Sequence, residues 1–229
     1  MSRSDSGDGW VREVWACLRK EWLAETRSRA GVLAAGLFSV SAVVAVWFAS
    51  FGFRLPGGLA AGLLWVTLLF SAVVALPRVL LAEEENGTGD LLRQWARPHA
   101  VFWGKALFNS LQMILTAVAL TVLFLVLTDL QIRHPLLLAL SLAAGCTALS
   151  AGTTLCGALA AQAPNRAALS VAVSVPFLLP MVALGITAVR VAFGQGEPSG
   201  GWQGCVGLAC YAVATFSGGP HLFAAVWRR

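Results

Sequence analysis

Beyond residue 29 the chain alternates between long apolar runs and short polar connections. Six runs stand out, at 30–51, 58–76, 101–127, 136–160, 167–192 and 204–226. At about 1.5 Å rise per helical residue, each is long enough to cross a hydrocarbon core of about 30 Å, the longer ones with tilt. The runs are continuous rather than alternating, which excludes membrane β-strands of about ten residues. The pattern predicts an all-α membrane protein with six transmembrane helices. Ahead of them, residues 1–9 are rich in Ser, Gly and Asp and are expected to be disordered. Residues 10–29 are expected to form an amphipathic helix lying in the membrane interface. Its apolar face is read as Val11, Val14, Trp15, Leu18 and Trp22, with Arg12, Glu13, Arg19, Lys20 and Glu21 largely elsewhere. The remainder, 30–229, is one membrane domain with a single long connection at 78–98.

Composition supports this division. Hydrophobic residues make up 58% of the 229 and charged residues only 12%, against about 45–50% and 25% in soluble domains. A soluble fold of this length has too little interior for that much apolar surface. Thirteen basic residues precede the first run or lie in the second connection, the fourth connection or the C-terminus. Only Arg54 and Arg133, with Arg190 at the end of the fifth run, belong to the other three connections. Because Lys and Arg are retained on the cytoplasmic side, this places both termini and 78–98 in the cytoplasm. The net charge of +5 is therefore read as topology, with no nucleic-acid role. The first 29 residues mix acids and bases without an apolar core, so the first run reads as a retained span rather than a cleaved signal.

Candidate chemistry is sparse. All eleven acids fall outside the runs, and Lys105 is assigned to the end of the second connection. Ion-coupled carriers keep ionisable groups or broken helices at mid-membrane, so the energy for any transport is expected from outside the chain. The sequence has no G-x-x-x-x-G-K-[ST] and no H-E-x-x-H, so no catalytic residue or resident cofactor is assigned and the chain is not expected to hydrolyse nucleotide itself. Cys17, Cys146, Cys156, Cys205 and Cys210 form no CxxC pair and read as small packing residues rather than disulfide or metal partners. Among His99, His134 and His221, the pair His134 and His221 are the candidates for haem-iron ligation, with ordinary boundary histidines the favoured reading.

The long connection carries the strongest signal. It reads RVLLAEEENGTGDLLRQWAR and ends at Pro98. Glu83, Glu84 and Glu85 form an acidic knot, and Asn86-Gly87-Thr88-Gly89 signals a turn. Thr88 is placed to cap a short helix with Asp90 in its first turn. Leu91, Leu92 and Trp95 then share helical spacing, and Pro98 stops or redirects the chain. Such a helix either docks into a groove of a soluble partner or folds back on the membrane. Elsewhere, Pro176 and Pro180 are expected to kink the fifth span. Ser141, Ala144, Gly145, Ala148, Gly152 and Gly157 allow close approach by the fourth, within the bundle or across a dimer.

These features resemble the ABC-2-type permeases, and within them the CcmB family of cytochrome c maturation, also called haem exporter protein B. The resemblance rests on LLWVTLLFSAVVALPRVL at 63–80, ENGTGDLLRQWARP at 85–98, VPFLLP at 175–180 and ATFSGGPHLFAAVWR at 214–228. It departs from the family at Pro77-Arg78, where an acidic–basic pair is expected. It implies the ABC-2-type permease fold and a subunit of a haem-exporting ATPase complex. A CcmA-like ATP-binding subunit would grip the coupling region, Glu83, Glu84, Glu85, Gly87, Asp90, Leu91, Leu92 and Trp95. CcmC-like and CcmD-like subunits, a CcmE-like haem chaperone and a second permease copy are the other implied partners, and the complex handles the haem. The alternatives are an exporter subunit for another amphiphile, such as a lipid or drug, and a scaffold that only anchors an ATPase.

Overall fold

The computed structural model describes residues 5–28, 30–50, 55–75, 83, 87, 92, 94–160 and 166–227. Every regular element among them is helical. In chain order these are α1 (Asp5–Ser28), α2 (Ala30–Ala49), α3 (Gly57–Ala75), α4 (Pro98–Thr128), α5 (Pro135–Ala160), α6 (Arg166–Ala192) and α7 (Pro198–Trp227). Each apolar run is thus one helix. The portions Gly57–Val74, Pro98–Thr128, Pro135–Ala160 and Ala168–Ala192 are long and apolar enough to cross a membrane, while Gly36–Ala49 is apolar but shorter.

Two boundaries differ from the sequence expectation. Pro98, Pro135 and Pro198 each open a helix, where a fixed φ is favourable and the missing N–H would have had no partner anyway. Pro98 is therefore a start rather than a stop. Helix α1 begins at Asp5, inside the stretch expected to be disordered.

The helices run back and forth between two ends. At one end, the Gly58 N–H donates to Gln195 Oε1 at 2.6 Å, and the Arg133 and His134 N–H groups both donate to the Ala192 carbonyl at 2.9 and 3.1 Å. The first, third and fifth connections therefore meet there. Gly194 and Gly196, with φ of 86° and 103°, make the turn that allows it. At the other end, the start of α4 meets α1 and the close of α7, where Phe102 packs on Phe216 and Phe223.

Trp65 is the central wedge. Its side chain is fully buried, and its indole fills the space that side chains at Gly145 of α5 and Gly185 of α6 would need. Gly152 takes Leu178 and Phe177 in the same way, its missing Cβ falling 2.8 and 3.0 Å from them. The small residues of α5 thus serve packing within the chain. Polar groups in the bundle are mostly satisfied locally. Asn109 Nδ2 donates to Thr154 Oγ1 at 2.9 Å, and the Ser150, Thr153 and Thr154 hydroxyls donate back to their own helix. Pro176 and Pro180 lie inside the continuous α6, and the Tyr211 hydroxyl donates to the Phe177 carbonyl between them at 2.9 Å.

Gly145→Ala is expected to cost about 1–3 kcal/mol through overlap with Trp65. Gly62→Ala, which meets only open space, should be neutral or slightly stabilising. Unfolding midpoints in detergent measure both, and equal losses at the two sites would contradict the wedge.

Candidate functional site

Lys105 sits about 10 Å along α4 from Pro98, and its side chain is completely buried. A buried ammonium is tolerable only when paired with carboxylates. Two are supplied by other segments: Glu21 Oε1 of α1 accepts a hydrogen bond from Lys105 Nζ at 2.7 Å, and Glu83 Oε2 of the long connection lies 2.9 Å away. Lys20 completes the group by bonding Glu83 Oε1 and approaching Glu21 Oε1 at 3.6 Å. Two positive and two negative groups leave the cluster neutral, and it ties together α1, α4 and the connection.

The local sequence explains how Glu21 reaches Lys105. Val14, Cys17 and Glu21 fall at helical spacing and form the buried face of α1. That face meets α4 at Gly104, where a Cβ would lie 2.6 Å from Cys17 Cβ and 3.1 Å from the Val14 carbonyl. Only glycine permits this approach. Burial pushes the Cys17 thiol up to about 11, with partial relief from the Lys105 charge, so it stays protonated at neutral pH. The apolar residues expected on one face divide between this packed stripe and the exposed side. Val14 points inward, but Trp15 and Trp22 are exposed, because the stripe that packs is offset from the one carrying the tryptophans.

Burial alone would raise the Glu83 carboxyl. The Lys105 charge and the hydrogen bonds from Lys20 and Lys105 outweigh it and hold the group below its ordinary 4.5. The stabilisation is therefore present above 4.5 and lost as pH falls through the lower folded value. For Lys20, burial lowers the value, but bonding to Glu83 outweighs it and the net shift is upward from 10.5. Its contribution is present below 10.5 and lost only as pH rises beyond it. A second bridge, Arg97 Nε to Glu13 Oε1 at 3.6 Å, is largely exposed and adds little.

The expected coupling residues divide. Gly87 has φ 67°, in keeping with the turn signal. Leu92 is half-buried against the cluster that contains Phe102 and Phe223, and its carbonyl accepts the Ala96 N–H at 3.0 Å. Trp95, three residues on, is 84% exposed. Glu83 is turned inward rather than outward. Glu84, Glu85, Asp90 and Leu91 lie outside the described residues. The two candidate haem ligands, His134 and His221, are not brought together. His134 is at the end where Ala192 sits, whereas His221 packs edge-to-face on His99 at the opposite end, with ring centroids 5.1 Å apart. That contact leaves no slot for a porphyrin plane between the two rings. Among the described residues no three His, Cys, Asp or Glu side chains group as metal ligands, and all five cysteines are free thiols.

Sequence reasoning missed Glu21, Lys20 and Lys105. The signal was an acid in the Val14–Cys17 register of α1 and a lysine well inside an apolar helix. A family profile described as CcmB protein matches residues 12–228, which takes in the whole cluster.

The chain belongs to the CcmB family.

Members of the CcmB family are permease subunits of the haem-exporting system of cytochrome c maturation, transporters rather than catalysts. None of the curated proteins compared with the chain matches it.

In this CcmB-family chain, Lys105→Met leaves Glu21 and Glu83 facing each other and should cost about 3–5 kcal/mol. Arg97→Gln should cost less than about 1 kcal/mol. In unfolding midpoints taken against pH, Glu83→Gln should lose the wild-type decline on the acid side of 4.5. An unchanged acid limb would show that Glu83 carries no such load.

Proposed function

We propose that the chain is the membrane permease of an ATP-driven complex, gripped by a CcmA-like subunit at the 78–98 connection. The carrying observation is the contrast between Trp95, 84% exposed, and Glu83, ion-paired to α1 and α4 within the same connection. An exposed aromatic anchor is what a partner groove takes up. A segment tied to two helices passes a push at Trp95 to both, rocking them as rigid bodies.

In this reading all six helices from α2 onward cross the bacterial inner membrane. The 20 residues of α2 amount to about 30 Å. The excess of basic residues puts both termini and the connection in the cytoplasm, and the meeting of the first, third and fifth connections at one end supports the same alternation. Helix α1 lies in the cytoplasmic interface. CcmC-like and CcmD-like subunits complete the assembly, which loads or releases a CcmE-like haem chaperone. Haem ligation falls to those partners, since His134 and His221 are at opposite ends of this chain.

Trp95→Ala should leave the unfolding midpoint unchanged, reduce recovery of the ATP-binding subunit in a pull-down about ten- to thirtyfold, and lower covalent c-type haem in cells. Leu92→Asp should lower the midpoint as well. Full recovery of the subunit with Trp95→Ala would overturn the grip. Normal c-type haem after deletion of the gene would favour an exporter of another amphiphile.

A further inference from the structure

Helix α1 has a second face that the ion cluster does not use. Opposite the side packed on α4, Val11, Trp15, Trp22 and Leu23 are exposed, Trp15 to 66%. Set among them is a groove of about 580 Å³, lined by Trp15, Arg19, Lys20, Leu23 and Arg27 with two alanines. Arg19, Leu23 and Arg27 are spaced four residues apart and so lie along one side of the helix, the two arginines about 12 Å apart. Neither arginine forms an ion pair among the described residues.

The groove therefore combines two fixed positive charges with a tryptophan and a leucine. Free cations alone would suit any soluble anion, and exposed apolar side chains alone would suit another helix. The combination on a helix attached to the end of a membrane bundle fits a molecule with an anionic head and an apolar tail at the interface. We propose that this groove binds an anionic phospholipid, with the phosphate held by Arg19 and Arg27 and the upper acyl chain lying on Trp15 and Leu23. Lys20 borders the groove and is also bonded to Glu83, so the bound phosphate adjoins the ion cluster that holds the coupling connection. The inference rests on reading α1 as a membrane-surface helix and adds the identity of its ligand.

The test uses the full-length chain in nanodiscs of phosphatidylcholine containing a minority of phosphatidylglycerol. The lipids kept by each molecule are counted by native mass spectrometry after gentle extraction. Wild type should retain phosphatidylglycerol in preference to phosphatidylcholine. The double variant Arg19→Gln/Arg27→Gln should retain about tenfold less, while Arg19→Lys/Arg27→Lys and a control Arg228→Gln/Arg229→Gln should retain as much as wild type. The Gln variant should also unfold at the wild-type midpoint in pure phosphatidylcholine. Undiminished phosphatidylglycerol in the Gln variant would overturn the proposal. So would equal retention of both lipids by wild type, which marks the face as a seat for another helix, or displacement by millimolar inorganic phosphate, which marks a site for a soluble anion. Because the ATP-binding subunit is absent from this measurement, its failure would leave the Trp95 result standing.

Discussion

A lysine ammonium buried at the end of an apolar bundle must be neutralised where it sits, and Lys105 imposes that requirement on everything around it. It has no exposed side-chain surface, and its two carboxylate partners come from segments distant in sequence. Meeting the requirement draws Glu21, and with it α1, against α4, and draws Glu83, and with it the long connection, onto the same spot. Gly104 allows the approach by omitting a Cβ where Cys17 must fit. A neutral fourfold group is stable when complete and costly when broken. It therefore behaves as a fixed joint between three segments, added to the packing of α1 on α4 at Gly104 and of Leu92 on the Phe102 cluster.

The joint gives the bundle its division of labour. The interior from α3 to α7 is closed by Trp65 in its glycine cradle and by hydroxyls bonded to their own helices. Little in it is reactive. The features suited to a partner all gather at the end where α1, the connection and the start of α4 meet. Trp95 faces outward there, the tryptophans and arginines of α1 face outward beside it, and the ion cluster lies between. The proposed grip at Trp95 uses this arrangement, because a push delivered there would reach several helices at once.

Much of the fold was legible because hydrophobic continuity is a one-dimensional signal. Each of the six apolar runs became one helix, and the proline and glycine punctuation fell near their ends. The turn at Gly87 and the packing role of the small residues in α5 also follow from the sequence. The tertiary pairings were not legible. Lys105 reads as a boundary cation until α1 is folded against it. Glu83 reads as one of three exposed acids until its partners are placed. Leu92 and Trp95 share helical spacing, yet one packs inward and the other outward, because neighbouring aromatics at Phe102 and Phe223 decide which side is covered. The histidines show the same limit, since residues at the ends of different helices meet according to topology, which pairs His221 with His99.

The most direct test of the joint is a double-mutant cycle between Lys105→Met and Glu83→Gln, read as unfolding free energy of the full chain in detergent. If Lys105 holds the connection through Glu83, the double variant will be less destabilised than the two singles added together. The coupling should exceed about 1 kcal/mol, beyond the roughly 0.3–0.5 kcal/mol within which independent sites add. Additive losses within that margin would show that the connection is not held to α4 by this ion pair, and would contradict the account.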